Sequence, residues 1–529
     1  MNKFPIDIFA VKQYGVEKWR KEFFWPVSDE TFIKIEMDIK NMWVSIMDKY
    51  KQISTFLLIQ NKLPLEYALF LHVLLVIKEV TSRGMQVLFT NESVLYRNLL
   101  QGSFNQDLVY SFILPNQNIL RKFSSRVWRI LLSGVLNSNP RLYCKVLGNN
   151  THYKELGYIS PLMKVYIKKL QKWVTITSQW EWFIKSNSVK LPEKLKDILE
   201  IASEDIIAKL QNISQKNNIE LHHWHIDFLR KLTLRRLNLT AEMFLCAKEK
   251  IKRNSNIHLL LSILGNPIYR IISSAVRETG GKVTGFAHGN DVGARDTSLS
   301  SWIEFPFVDT FVTYTQKSAE LMRLRKEKYS PPQDIELNII SADFNHYFQQ
   351  WRLFKIQPLS KRVRNIMLIG FSMDPYRYSE LPGGLALIRL DLELRLIETL
   401  KLGGYRVIYK VHPDRTHEAH GIFDKYADVV LTEYFERVLD RADAFLFGHV
   451  DTTTFGIALL TNKPVVVLNP ETQKWFPEPF KLIKKRCHII HTWFDERNRL
   501  IFDRDELLYA LAKPPKEPNT EFVEKYMFP

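Results

Sequence analysis

Short runs of β-branched and aromatic residues alternate with longer helical stretches along most of this 529-residue chain. That alternation is the pattern of parallel strands joined by crossover helices. A first set opens with Thr55–Gln60 (TFLLIQ), read as a strand, then a helix over Leu65–Ser82 and a second strand over Met85–Asn91 (MQVLFTN). It resumes with strands at His258–Leu264, Lys282–His288 and Thr310–Thr315, and a helix over Pro267–Glu278. Pro267 suits the first turn of that helix, where its missing amide costs nothing, and Gly280-Gly281 suit the turn past its end. Between these groups, over residues 105–250, strand patterns are scarce, and Ser160–Lys185 and Glu193–Leu210 read as helices. The expectation there is a large helical insertion.

Residues 327–363 carry Pro331-Pro332 and little periodicity, and read as a linker. A second set then follows, with strands at Asn365–Ser372, Tyr405–Val411, Asp428–Thr432, Ala444–Val450 and Pro464–Leu468. Helices are expected over Leu385–Leu402, Glu436–Ala442, Thr452–Leu460, Asp503–Ala512 and Thr520–Met527. The fold class this predicts is α/β, with two Rossmann-like doubly wound domains. The expected units are 1–326 with the insertion, the linker, 364–502, and a helical tail over 503–529 packing back on the core. Ligands of such sheets sit outside the carboxyl ends of the strands, so a cleft between the two is the expected site.

Composition narrows the class. With 46% hydrophobic and 25% charged residues the chain is globular. Cys144, Cys246 and Cys487 are widely spaced, which excludes a disulfide scaffold and a Cys-rich zinc site and fits a reducing compartment. Met1–Trp25 has no signal-peptide core, and the apolar stretch Tyr67–Ile77 falls short of the ~20 residues a spanning helix needs. A cytoplasmic location, or a peripheral one on the inner face of the membrane, is therefore expected. The net charge of +17 is uneven: residues 161–260 hold 18 Lys and Arg against 10 Asp and Glu. Charge of this kind speaks of anionic partners rather than of fold.

Three segments carry candidate chemistry. In HVDTTTFGIALLTNKPVVVLN (449–469) a strand gives way to a turn, Asp451 with Thr452, Thr453 and Thr454, that opens a helix. Free amides, three hydroxyls and the helix dipole there suit a phosphate, although Asp451 or a threonine capping the helix would give the same pattern. In YKVHPDR (409–415) His412 and Pro413 end a buried strand, and His412 and Arg415 are donors for a phosphate oxygen. In FAHGNDVGARDTS (286–298) His288, Asp291, Arg295 and Asp296 share one loop, suited to a general base, a nucleophile or a sugar-orienting group. A polar surface loop is the bland alternative. Glu304 is a nearby second carboxylate.

Other patterns point nowhere specific. HHWH at 222–225 lacks a carboxylate at ligand spacing, Asp503/Asp505 precede an ordinary helix, and no metal is expected. P-loop, GxGxxG and GxSxG motifs are absent. Lys164, Lys168, Lys169 and Lys172, and LIKKRCH at 482–488, form basic stretches that are either solvated faces or attractors of an anionic membrane surface or polyanionic acceptor. No nucleic-acid-binding signature accompanies them.

The His-Gly loop, the His-Pro pair and the Asp-Thr-rich turn, set in two α/β units, resemble GT-B glycosyltransferases. Within these the chain is most similar to bacterial enzymes of lipopolysaccharide and capsule assembly that use CMP-activated acidic sugars, the Kdo and sialic acid transferases. The resemblance covers roughly 50–100 and 255–500 and leaves out the insertion. It implies that His412 contacts the CMP phosphate and assists its departure. It also implies that Thr452, Thr453 and Thr454 hold the phosphate or sugar carboxylate, and that a carboxylate of the first domain, Asp291 foremost, acts as base or nucleophile beside His288. The sialyltransferase motif of paired acids before a glycine is replaced by His288-Gly289-Asn290-Asp291, which favours a Kdo-like donor. The expected function is thus glycosyl transfer from a CMP-sugar to a glycan or lipid-linked acceptor, without cofactor or metal. The alternatives are a CDP-polyol phosphotransferase of teichoic-acid type, a UDP-sugar epimerase and a non-catalytic polyanion-binding protein.

Overall fold

The computed structural model describes residues 2–90, 152–157, 159–170, 172, 174–177, 179–183, 189–251, 256–287, 293–331, 336–342, 345–355, 362–370, 386–412, 416–450 and 452–529. It is an α/β protein built on two parallel sheets. The amino-terminal sheet holds β3 (His152–Leu156), β4 (Val174–Thr177), β5 (Ile257–Leu261), β6 (Lys282–Phe286), β7 (Thr310–Thr313) and β8 (Asn338–Ser341). They lie in the order β4-β3-β5-β6-β7-β8, every pair parallel. The carboxyl-terminal sheet holds β9 (Asn365–Ile369), β10 (Arg406–Lys410), β11 (Val429–Leu431), β12 (Ala444–Phe447), β13 (Val465–Pro470), β14 (His488–Phe494) and β15 (Leu500–Phe502). Its order is β11-β10-β9-β12-β13-β14-β15, antiparallel only at the last pair. Counted from β9, the first six strands run 3-2-1-4-5-6, the order of dinucleotide-binding doubly wound sheets.

Both sheets are covered by helices, so their central strands are apolar without alternation. All four residues of β12 (AFLF) are buried, as are Ile366 to Ile369 of β9. The Ala386–Leu402 helix that follows β9 is buried on nearly all sides, and four of its six charged residues lie within that buried surface. Asp391 accepts from Arg395 Nη2 at 2.7 Å and Arg499 Nη2 at 3.1 Å, and Glu393 accepts from Tyr409 Oη at 2.8 Å. Each charge removed from water thereby keeps a partner, the condition for burial.

Several elements depart from the sequence expectation. TFLLIQ lies in a helix, Ser54–Ile59, where Phe56 meets Phe244 edge-on at 5.4 Å. A short apolar run does not by its period distinguish a buried helix from a strand. Of Met85–Asn91 only β2 (Gln86–Leu88) is a strand, and it pairs with β1 (Lys3–Pro5) in a separate two-stranded sheet. The stretch 105–250, expected as helical, contributes β3 and β4, and the helix expected over Ser160–Lys185 stops at Leu170. The linker 327–363 contains β8, which completes the amino-terminal sheet, and a helix, His346–Lys355. Glu436–Ala442 is a pair of 3₁₀ turns, Phe435–Arg437 and Leu439–Arg441. The β14–β15 hairpin had no counterpart in the sequence reading.

The chain ends tie the two halves together in opposite senses. Trp25 N donates to Arg497 O at 2.8 Å, and Arg20 Nη2 meets Glu398 at 2.8 Å, so residues near the start lie on the carboxyl-terminal half. The Glu521–Tyr526 helix packs on both the Pro477–Arg486 and Gln316–Tyr329 helices, and Thr315 Oγ1 donates to Tyr526 O at 3.1 Å.

Candidate functional site

The strand order of the carboxyl-terminal sheet reverses direction between β9 and β12, and the chain leaves these neighbours toward opposite edges. That divergence opens a crevice beyond their carboxyl ends, the ligand position in sheets of this kind. The floor at β9 is Gly370, whose amide donates to Lys410 O at 2.9 Å. A Cβ there would stand 2.5 Å from Tyr409 Oη and 2.7 Å from Cζ, so only glycine fits. On the β12 side Gly448, His449 and Val450 lead to Thr452, the N-cap of the Thr453–Leu460 helix. Thr452 Oγ1 accepts from Thr454 N at 3.4 Å and lies 2.7 Å from Thr454 Oγ1, while Thr453 is exposed. The capping alternative and the hydroxyl-lined helix start are therefore both realised in one turn.

A cluster of basic groups gathers at this crevice. Arg389, buried in the first turn of the Ala386–Leu402 helix, donates from Nη1 to Gly448 O at 3.0 Å, tying the exit of β9 to that of β12. His449 is buried beside it. Burial first, then the positive charges of Arg389, His412 and Arg295, hold its imidazole well below the ordinary value. His449 is thus neutral at physiological pH in a field of three basic groups. Such a field is complementary to an anion.

Arg295 comes from the other sheet, on the chain that follows β6. Its carbonyl accepts from Arg325 Nε at 2.9 Å and Nη2 at 2.6 Å, and its backbone forms an antiparallel bridge with Trp475. Asp296 N donates to Lys474 O at 3.1 Å and Phe476 N to Ala294 O at 3.0 Å, so three consecutive residues are stitched to the carboxyl-terminal half. The basic cluster is composite, with one member delivered across that seam.

Of the residues expected from sequence, His412 is half-buried at the end of β10 and belongs to the cluster, and Thr452, Thr453 and Thr454 stand at the helix start. His288, Asp291, Pro413, Arg415 and Asp451 lie outside the described residues. Asp296 is committed elsewhere, paired with Lys328 Nζ at 2.5 Å and Tyr329 Oη at 2.9 Å. Glu304 ends the short Leu299–Ile303 helix; burial pushes its carboxyl up to about 7, eased by Ser300 and Arg325. Its surroundings are those two residues rather than the group around His449. The basic run at 482–488 is not a surface patch throughout. Arg486 is buried, donating to the carbonyls of Thr461 at 2.8 Å and Lys463 at 3.1 Å, and Cys487 is buried beside it. Lys164, Lys168 and Lys172 are exposed, and Lys169 Nζ donates to Ala342 O at 2.6 Å.

Sequence reasoning passed over Arg389 and His449. Arg389 sits in LALIRLDLELRL as one charge among several of an apolar helix, and nothing local distinguishes it from Arg395 in the same segment. Among the described residues no three His, Cys, Asp or Glu side chains gather as a metal site, and no helix is long and apolar enough to cross a membrane. No protein-family model matches the chain, and no curated protein matches it in sequence.

Proposed function

We propose that the chain is a GT-B glycosyltransferase that moves an acidic, Kdo-like sugar from CMP to a growing surface polysaccharide or glycolipid. The observation that carries this reading is the convergence of Arg389, His449 and His412 with Arg295 at the β9–β12 crevice. A sugar phosphodiester is monoanionic, and its leaving CMP becomes a dianion. Basic groups preorganised around the bridging phosphate favour that second charge more than the first, which is the differential stabilisation a transfer step needs. In this reading His412 and His449 donate to the phosphate oxygens, Arg389 and Arg295 supply fixed charge, and the Thr452–Thr454 turn adds hydroxyls and the positive end of a helix. Arg295 belongs to the acceptor-side half, so the two halves acting as domains would close over the donor and keep water from it.

The test is thermal unfolding of the purified chain with CMP, CDP, UDP, GDP and ADP, each with and without EDTA. CMP at about 100 times its dissociation constant is expected to add about 2.7 kcal/mol, unchanged by EDTA. His412→Ala should reduce that shift and slow CMP release from CMP-Kdo by about 100-fold or more, the range of a lost proton donor. Preference for UDP would discard the donor assignment, and indifference to every nucleotide would discard the transferase.

A further inference from the structure

The basic stretch after β3 folds as the Pro161–Leu170 helix, and its contacts show where that helix lies. Ser262 Oγ, one residue past β5, donates to Met163 Sδ at 4.0 Å. Tyr166 meets the ring of Phe286, the last residue of β6, edge-on at 5.2 Å. Lys169 Nζ donates to Ala342 O, one residue past β8, at 2.6 Å. The strands lie in the order β3-β5-β6-β7-β8, so the helix runs crosswise along their carboxyl ends. Its 10 residues cover about 15 Å, and a long lysine side chain completes the span from β3 to β8, about 19 Å. Leu162, Met163 and Ile167 are buried under it, which leaves Lys164 and Lys168, one turn apart, exposed on the outer side with Lys172 beyond the helix end.

A second basic helix adjoins the first. His346–Lys355 begins four residues after Ala342, and the charge of Lys164 acts on His346 at its start. Tyr347 packs on Tyr314 at 5.1 Å, and Phe348 and Trp351 pack on Phe528 at 5.2 and 5.3 Å, so those side chains face inward. Arg352, Leu353 and Lys355 are exposed, Leu353 by 68%. Neither helix holds an aspartate or a glutamate; with Lys172 they carry Lys164, Lys168, Lys169, Arg352 and Lys355. Elsewhere exposed lysines are paired within their own helix, as Lys231 with Asp227 and Lys317 with Glu320. Here Lys164 and Lys168 stand at i, i+4 with like charge, a local repulsion that an anionic partner would relieve.

We infer that these two helices form a docking surface for a lipid bilayer that carries anionic phospholipid. Lysines and arginines on such a surface meet the lipid phosphates, and an apolar side chain among them enters the acyl boundary. Leu353, between Arg352 and Lys355, is that side chain, and a soluble polyanion would make no use of it. The inference adds a partner to the transferase reading without resting on it. It puts the bilayer at the carboxyl-end side of the amino-terminal sheet, the end from which β6 leads to Arg295.

The test is co-sedimentation of the full chain with vesicles of phosphatidylcholine, alone or with about one-third phosphatidylglycerol. Binding is expected to the anionic vesicles only, and should be lost at about 1 M salt, where the screening length is about 3 Å. Each Lys or Arg near such a surface is worth about fivefold in affinity, so Lys164→Gln/Lys168→Gln/Lys172→Gln should weaken binding about 100-fold and Arg352→Gln/Lys355→Gln about 25-fold. Both variants should melt as the wild type does, since the positions are exposed. Leu353→Ser should weaken vesicle binding about tenfold and leave binding to polyphosphate unchanged. No sedimentation with the anionic vesicles, or equal sedimentation with the neutral ones, overturns the inference. Either charge variant binding within about threefold of wild type overturns the two-helix surface. Leu353→Ser binding the vesicles as the wild type does overturns the bilayer in favour of a soluble polyanion. The CMP-dependent rise in melting temperature is read separately, so this inference and the transferase reading can each fail alone.

Discussion

Trp25 Nε1 donates to His72 Nε2 at 3.0 Å, the two rings lie parallel 6.0 Å apart, and Phe32 meets His72 edge-on at 5.0 Å. The accepting nitrogen has no place for a proton, and burial lowers the imidazole to about 3. The unfolded chain binds a proton near 6.5 and the folded chain does not until far lower, so stability falls as pH drops below 6.5. The slope is about 1.4 kcal/mol per pH unit. Between pH 7 and 5, His72→Gln is expected to lose about 2 kcal/mol less than the wild type in urea titrations. Equal losses would show that His72 is protonated in the fold. Residues differ in how far their roles can be read in advance. His412 announced itself by standing beside a proline at a strand end, whereas His72 and Arg389 sit inside apolar sequence. What separates a core charge from a site charge is which groups surround it, and those come from distant parts of the chain.

Elements were legible where the chain itself closes the argument. Pro267–Glu278 matches its expected span at both ends because Asn266 caps it, Pro267 starts it and Gly280 takes φ +83° beyond it. HYKEL was missed as β3 because His152, Lys154 and Glu155 leave it without an apolar run, and the burial of Glu155 is a tertiary fact that no local pattern signals. The Ala386–Leu402 helix was expected, but the burial of four of its six charged residues was not, since charges on a helix argue for an exposed stripe. Asp391 is the test of that burial. Replacing it with alanine strands Arg395 and Arg499 around a vacated carboxylate, and should cost about 3–5 kcal/mol by urea denaturation. A cost under about 1 kcal/mol, that of a surface pair, would place the helix in water.

At the scale of the whole molecule the halves are joined by the Arg295–Trp475 bridge, by Trp25 against Arg497, and by the carboxyl-terminal helix. Phe522 is fully buried in that last contact, and Phe522→Ala is expected to destabilise by about 3–5 kcal/mol, read as a lowered melting temperature. A shift within about 0.5 kcal/mol, as for a surface change, would make the tail an appendage rather than a strap. The sequence by itself determined the α/β class, most strands of the second sheet and the carboxyl-end turn at Thr452, because periodicity, caps and turn residues act within a few positions of each other. The tertiary structure alone decided the strand orders, the recruitment of 152–177 and 338–341 to the first sheet, and the meeting of Arg295, Arg389, His412 and His449. Those are contacts between residues tens to hundreds of positions apart, and no local pattern encodes them, since the free energy that fixes them comes from packing whole sheets and helices together.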